Sequence, residues 1–163
     1  MDFKERLQRA VDRGRQRGED RSREAERQAL SEEELKRIHS RIRLALSEHI
    51  ESCVAEIAQQ FPGFSSETLY GEAGWGAACS RDDIRLERGK RTNLYSRLEM
   101  TIRPFKPLHV IELAAKATVH NREIFHREYF EELPEIDQQQ FEQRIDAWAI
   151  EFAERFAAAD EST

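Results

Sequence analysis

The sequence predicts an α+β domain with a long N-terminal helix, an antiparallel meander of three or four strands, and a C-terminal helix packed on one face of the sheet. Three patterns support this prediction. Apolar residues recur at steps of three and four over residues 35–57, alternate with polar residues over 94–119, and return to helical steps over 141–156. Strands grouped between helices, without alternating βαβ units, are typical of an α+β layer.

Composition limits the class of protein. The chain has 163 residues, of which 36% are charged and 39% hydrophobic, and its net charge is −6. A chain of this length forms one domain, and the high charge argues against a membrane-buried chain. The first six residues lack the apolar core of a secretory signal, and Cys53 and Cys79 have no spacing typical of a disulfide framework. We therefore expect a cytoplasmic protein.

The first thirty residues carry a short apolar stripe. Phe3, Leu7 and Val11 lie four residues apart, as on one side of a helix. Between residues 12 and 28 the only apolar side chain is Ala25, and two glycines interrupt, so nothing there faces a core. We predict three parts: an arm at residues 1–29 that is a solvated helix or disordered, a single α+β domain at residues 30–158, and a C-terminal tail at residues 159–163.

A capping box predicts where the first helix of the domain begins. Ser31 is placed as the N-cap, Glu34 stands three residues later, and Leu30 and Leu35 occupy the two positions of a hydrophobic staple. The pair at residues 62–63, Pro-Gly, ends the helix. The helix presents one apolar face, formed by Leu35, Ile38, Ile42, Leu46, Ile50, Cys53 and Ile57.

Alternation predicts two adjacent strands over residues 94–103 and 110–119. A four-residue loop from Pro104 to Pro107 would pair Met100 with Ile111 and Leu98 with Leu113.

A turn at residues 87–90 would add a preceding strand, pairing Cys79 with Met100 and Asp82 with Arg97. Residues 124–127 are a candidate fourth strand. The predicted buried face carries Cys79, Leu98, Met100, Ile102, Ile111, Leu113 and Ala115, and the opposite face carries Arg97, Glu99, Thr101 and Lys116.

The C-terminal helix has its own start signal. Asp137 is the predicted N-cap, with Gln140 three residues later and a staple between Ile136 and Phe141. Its apolar face is built from Phe141, Ile145, Trp148, Phe152 and Phe156, which can cover a sheet.

Residues that could carry chemistry do not form a recognisable motif. His120 and His126 are six residues apart, next to Glu123 and Glu128, and neither a helix nor a straight strand brings such a pair together. We interpret them as polar residues around a strand turn.

The glycines at 71, 74 and 76 have the wrong order for a phosphate loop and indicate a bend before Trp75. Cys53 is interpreted as a small hydrophobic residue on a helix face. We expect no cofactor, and no metal.

A basic run over residues 81–106 has a local charge of +4, from eight basic residues against four acids. A nucleic-acid surface is conceivable there, but Glu99 and Glu112 would interrupt it.

These observations favour a non-catalytic protein-binding or adaptor domain, chaperone-like and dimeric, that acts through its N-terminal arm and helices. In this hypothesis Phe3, Leu7 and Val11 dock on a second subunit or a partner protein, with Arg13 and Arg17 among the arginines that face acidic residues such as Glu131, Glu132 and Glu135. The alternative is a small-molecule-binding α+β domain with a cavity between the sheet and the helices. This alternative includes an enzyme.

Overall fold

The structure of the protein is a computed structural model that describes residues 2–161, with side chains described for residues 2–27 and 31–160. The chain divides into two compact units, Met1–Arg37 and Ile38–Thr163. The sequence placed this division between residues 29 and 30. Within residues 2–161, no helix combines the length and the apolar character needed to cross a membrane.

The elements follow one another as helix, five strands and helix. In chain order they are α1 (Phe3–Gln60), β1 (Ser65–Leu69), β2 (Trp75–Glu87), β3 (Lys90–Ile102), β4 (Val110–Val119), β5 (Arg122–Glu132), a 3₁₀ turn (Leu133–Glu135) and α2 (Gln138–Glu161). The predicted α+β class is confirmed, and α2 packs on the sheet. α2 continues to Glu161, into residues predicted to form a tail.

The sheet has five strands rather than three or four, and they lie in chain order. β1 was not predicted because Ser65–Leu69 reads Ser-Ser-Glu-Thr-Leu, which has no apolar alternation. Its pairing with β2, from Ser65 opposite Ser80 to Leu69 opposite Gly76, makes it a strand. The candidate fourth strand at residues 124–127 is the centre of a longer strand, β5.

The prediction that a helix begins at Ser31 is wrong, because α1 runs through this residue without interruption. A capping box stabilises a helix start only where the preceding chain leaves the helical conformation. Here residues 25–30 read Ala-Glu-Arg-Gln-Ala-Leu, all good helix formers. The predicted staple between Leu30 and Leu35 is not described, because the side chain of Leu30 lies outside the described residues. The predicted stop is confirmed, since α1 ends at Gln60 and Gly63 follows with φ of 100°.

The predicted register between β2 and β3 is wrong by two residues. Cys79 pairs with Leu98 rather than Met100, and Asp82 pairs with Tyr95 rather than Arg97. The reason is a tighter turn. Only Arg88 and Gly89 connect the strands, with φ of 50° and 78°, as a two-residue hairpin of the I′ type requires.

The register between β3 and β4 is shifted by four residues, with Met100 opposite Ala115. The connection is longer than the predicted four residues, because a turn in which the His109 N–H donates to the Lys106 carbonyl delays the start of β4. Both shifts are even, so every side chain keeps its predicted face.

A β-bulge explains why the sequence of β5 alternates poorly. Ala117 pairs with Phe125, while the next residue, Thr118, pairs with Glu123, which leaves Ile124 as an extra residue. The bulge reverses the alternation, so that Phe125 faces the core.

The inner face of the sheet is the core of the unit Ile38–Thr163. The predicted buried side chains are confirmed, with Leu98, Met100, Ile102, Ile111 and Leu113 fully covered. The residues predicted on the other face are confirmed as half-buried or exposed. The aromatic face of α2 closes the core, and all five of its predicted members are buried: Phe141, Ile145, Trp148, Phe152 and Phe156.

Asp137 caps α2 as predicted, since its carboxylate accepts the Gln139 N–H at 3.1 Å. The reciprocal bond does not come from Gln140. Instead, the Glu131 carboxylate at the end of β5 accepts the Asp137 N–H at 2.7 Å, which ties the start of α2 to the sheet.

Substituting Leu113→Ala should lower the free energy of unfolding by about 2–5 kcal/mol, because it opens a cavity at a fully buried position. Lys116→Ala, three residues further along β4 and exposed, should change it by less than about 0.5 kcal/mol. Urea unfolding of the three proteins measures both values. Equal losses would show that the inner face is not the core.

A buried histidine should make the stability depend on pH. Burial lowers the pKa of His39, outweighing a hydrogen bond with the backbone of Arg103, and nearby Arg43 lowers the pKa further. The side chain is 3% exposed and its Nε2 has no partner. The free energy of unfolding should therefore be at its full value above about pH 6.5, the ordinary histidine pKa, and should fall below it, because the unfolded chain then binds a proton that the folded chain does not.

Urea unfolding of the wild type and of His39→Leu, on both sides of the ordinary histidine pKa, tests this expectation. The stability of the wild type relative to the variant should decline as the pH falls. A difference that does not change with pH would contradict it.

Candidate functional site

The arm exposes the three apolar side chains that the sequence singled out. Phe3, Leu7 and Val11 are 76%, 51% and 38% exposed, and every residue from 2 to 27 is exposed. The helix begins with a cap in which Asp2 accepts the Glu5 N–H at 2.9 Å. This part of α1 thus carries an apolar stripe open to solvent.

The two predicted arginines lie near this stripe. Arg13 lies on the same stretch of exposed helix as Phe3, Leu7 and Ala10. Arg17 is exposed one turn later. Glu131, one of the acids expected to face the arm, is engaged within its own unit, where it accepts the Asp137 N–H and, at 2.5 Å, the Tyr129 O–H.

The outer face of the sheet holds a cleft of about 610 Å³, beside the β1–β2 loop. Small side chains lie at its centre, where Thr101 pairs with Gly76 on one side and Ala114 on the other. A Cβ on Gly76 would stand 1.9 Å from the Met100 carbonyl oxygen, so the strands require glycine here. The cleft is lined on its polar side by Glu99, Arg103, Lys106, Lys116 and His126.

Carboxylates neutralise most of the cations on this outer face. Arg103 contacts Glu112 at 3.2 Å and Glu128 at 2.6 Å, and Lys106 contacts Glu112 at 2.9 Å. Burial alone would raise the pKa of Glu112, but the hydrogen bond from Lys106 and the charge of Arg103 lower it below its ordinary value. Since the positive charge is consumed within the sheet, this surface does not favour a phosphate backbone.

A cluster of three different side chains lies between α1 and α2. His49 and Cys53 are one turn apart on α1, and Asp146 faces them from α2. The Asp146 Oδ1 lies 2.7 Å from the His49 Nε2 and 3.4 Å from the Cys53 Sγ. Burial raises the pKa of the Cys53 thiol to about 12, and Asp146 and Glu56 contribute to the rise.

The interpretation of Cys53 as a small hydrophobic residue is therefore wrong. The thiol is half-buried and contacts polar groups. A sequence signal existed, because a histidine and a cysteine four residues apart share one helix face. Asp146 is nearly a hundred residues away, and only the fold brings it to this face.

A second cluster consists of Asp83, His120 and Asp160. An arginine side chain of the protein itself already binds its two carboxylates. The Arg81 guanidinium contacts Asp83 at 2.9 Å and Asp160 at 2.8 Å. It also donates to the Pro62 carbonyl at 3.1 Å. Arg81 therefore joins β2, the end of α1 and the end of α2, and we assign this cluster a structural role.

The histidines singled out by the sequence are not brought together. His120 lies in the β4–β5 turn with φ of 48°, and its ring stands 5.9 Å from Phe156. His126 lies on the outer face of the sheet, within 3.8 Å of Glu123. The glycines before Trp75 form a turn, in which the Gly74 N–H donates to the Gly71 carbonyl at 3.2 Å.

Comparison of the chain with protein-family models, curated proteins and solved structures finds no match.

Substituting Arg81→Ala should lower the free energy of unfolding by about 2–4 kcal/mol, because two carboxylates lose a partner that is only 15% exposed. Arg85→Ala is the matched control on the same strand. Arg85 pairs with Glu87, and both side chains are at least 41% exposed, so its loss should cost less than about 1 kcal/mol. Thermal and urea unfolding provide the measurement, and equal values for the two variants would refute the structural role of Arg81.

Proposed function

We propose that the protein is a non-catalytic binding protein that associates through its N-terminal arm, and that the arm binds the arm of a second copy of the chain. The observation that carries this proposal is the exposed stripe of Phe3, Leu7 and Val11 on a helix whose residues 2–27 are all exposed.

The arm is a helix with no covered apolar face among its described residues 2–27. An isolated helix is marginal in water unless an apolar face is covered. Exposed ion pairs such as Glu19–Arg23, at 4.0 Å, contribute only about 0.3–0.5 kcal/mol each. Burying Phe3, Leu7 and Val11 would contribute about 1.5–3 kcal/mol for each side chain, before the cost of association. Burial of the stripe against an apolar partner surface would therefore stabilise the arm more than its exposed ion pairs do.

The glycines of the arm favour a second helix as that surface. Gly14 and Gly18 each cost a helix about 1 kcal/mol relative to alanine. Positions 3, 7, 14 and 18 fall within about 60° of one another around the helix axis. No heavy atom lies within 4 Å of where a Cβ on Gly14 or Gly18 would stand, so this face has room for side chains of another helix.

Two antiparallel arms would pack the large side chains of this face, at positions 3 and 7, against the glycines at positions 14 and 18. If the two-fold axis passes near Val11, Phe3 of one copy lies over Gly18 of the other, and Leu7 lies over Gly14. Large side chains then meet small ones, as close packing requires.

The alternative, a cavity between the sheet and the helices, has less support. The large side chains there, including Leu98, Met100, Phe141 and Phe152, are fully buried against one another. The cleft of about 610 Å³ is on the outer face instead.

Light scattering after size-exclusion chromatography tests the proposal on the full chain. The wild type should have the mass of a dimer, and Leu7→Glu should have the mass of a monomer, because it places a charge in the stripe. Gln8→Glu is the matched control, since it adds the same charge in the same turn on a different side of the helix, and it should stay dimeric. A monomeric wild type, or a dimeric Leu7→Glu, would overturn the proposal.

Gly18→Leu gives a second, sharper test. The substitution favours the isolated helix by about 1 kcal/mol but fills the space that receives Phe3. We expect circular dichroism to show no loss of helix. We expect the dimer of the variant to dissociate at a higher protein concentration than the wild-type dimer does, which means weaker association. Stronger association would contradict the antiparallel arrangement.

A further inference from the structure

We propose that His49, Cys53 and Asp146 form a binding site for a divalent transition-metal ion, with zinc as the metal that suits these ligands best. The site lies wholly within the unit Ile38–Thr163 and is independent of the arm.

The spacing of the three side chains fits one ion. Their ligand atoms all lie within 4.8 Å of one another. Zinc bonds of about 2.0–2.3 Å at tetrahedral angles separate the ligand atoms by about 3.3–3.8 Å. The 3.4 Å between the Cys53 Sγ and the Asp146 Oδ1 already has this value. The 2.7 Å between the His49 Nε2 and the same oxygen is a hydrogen bond that the ion would replace.

The adjustment that the His49–Asp146 contact requires is small and is available to these two side chains. The His49 and Asp146 side chains are 30% and 51% exposed, so both have room to move apart by less than about 1 Å. Their exposure also gives an ion a path from solvent. His49 and Cys53 are held on successive turns of α1, the arrangement that presents two ligands to one metal.

The electrostatics of the site favour a cation. Among the described residues, the Asp146 carboxylate contacts the His49 ring nitrogen and no lysine or arginine. Glu56, one turn beyond Cys53, adds negative charge beside the thiol. In the other cluster of this kind Arg81 already lies between the two carboxylates. The contrast between the two clusters is the reason for assigning the metal to this one.

The identity of the ligands selects the metal. Nitrogen, sulfur and oxygen donors together suit zinc, whereas magnesium and calcium require oxygen alone. Three protein ligands leave a fourth position for water or a small ligand. Cys53 and Asp146 also line a surface cleft of about 300 Å³ with Ile57, Ala149 and Ile150. The fourth ligand would therefore lie at the edge of a largely apolar cleft.

Titration calorimetry of the full-length chain with zinc chloride, after treatment with a chelator, tests the proposal. We expect one zinc ion per chain. His49→Ala and Cys53→Ser should each weaken binding by at least about tenfold. His126→Ala, which removes an exposed histidine elsewhere, is the control and should bind as the wild type does. Absence of binding, or equal binding by Cys53→Ser, would overturn the site.

Cobalt chloride gives a readout that does not depend on stability. Cobalt bound by a thiolate shows a sulfur-to-metal charge-transfer band, which should appear in the wild type and in Cys79→Ala but not in Cys53→Ser. Cys79 is the matched thiol, because it is buried in the sheet, away from the site. A spectrum without this band in the wild type would exclude Cys53 as a ligand. Circular dichroism of each variant identifies any that fails to fold, and the band of the wild type still decides the question.

Discussion

Phe152 and Phe156 lie against the inner face of the sheet, and the arrangement of both helices in the unit Ile38–Thr163 depends on this contact. A sheet with one apolar face is stable only when that face is covered. The Phe156 ring stands 4.9 Å from Phe61 and 4.9 Å from Phe64, which follow the end of α1. The same aromatic cluster therefore fixes α2 on the sheet and holds the end of α1 beside it.

Polar groups at the border of this core determine how the elements are joined. Arg81 lies over the Phe156 ring at 4.7 Å while its guanidinium binds carboxylates of β2 and α2. At the same end of the sheet the Asn121 side chain accepts the Tyr95 N–H and donates to the Asn93 carbonyl. It thereby holds the β4–β5 turn against β3. Buried apolar area sets the layers, and a few directional bonds set their alignment.

The position of α1 beside α2 also creates the cluster proposed to bind a metal. His49 lies beside Asp146, and Phe61 beside Phe156, so contacts advance in the same direction along both helices. An ion at this place would join the two helices. Binding there would stabilise the folded unit, because the unfolded chain does not hold the three ligands together.

The sequence by itself determined the elements whose pattern is local. The apolar steps of α1 and α2, the Asp137 cap, and the face of every predicted strand residue from Cys79 to Ala115 follow from periodicity and side-chain chemistry, because these properties repeat over a few residues. The tertiary structure alone decided features that depend on distant partners. β1 is a strand only through β2, and the registers depend on turn geometry. The capping signal at Ser31 did not interrupt the helix, because residues on both sides favour it. Asp146 meets Cys53 only because α1 and α2, each amphipathic in its own sequence, lie side by side in the folded unit.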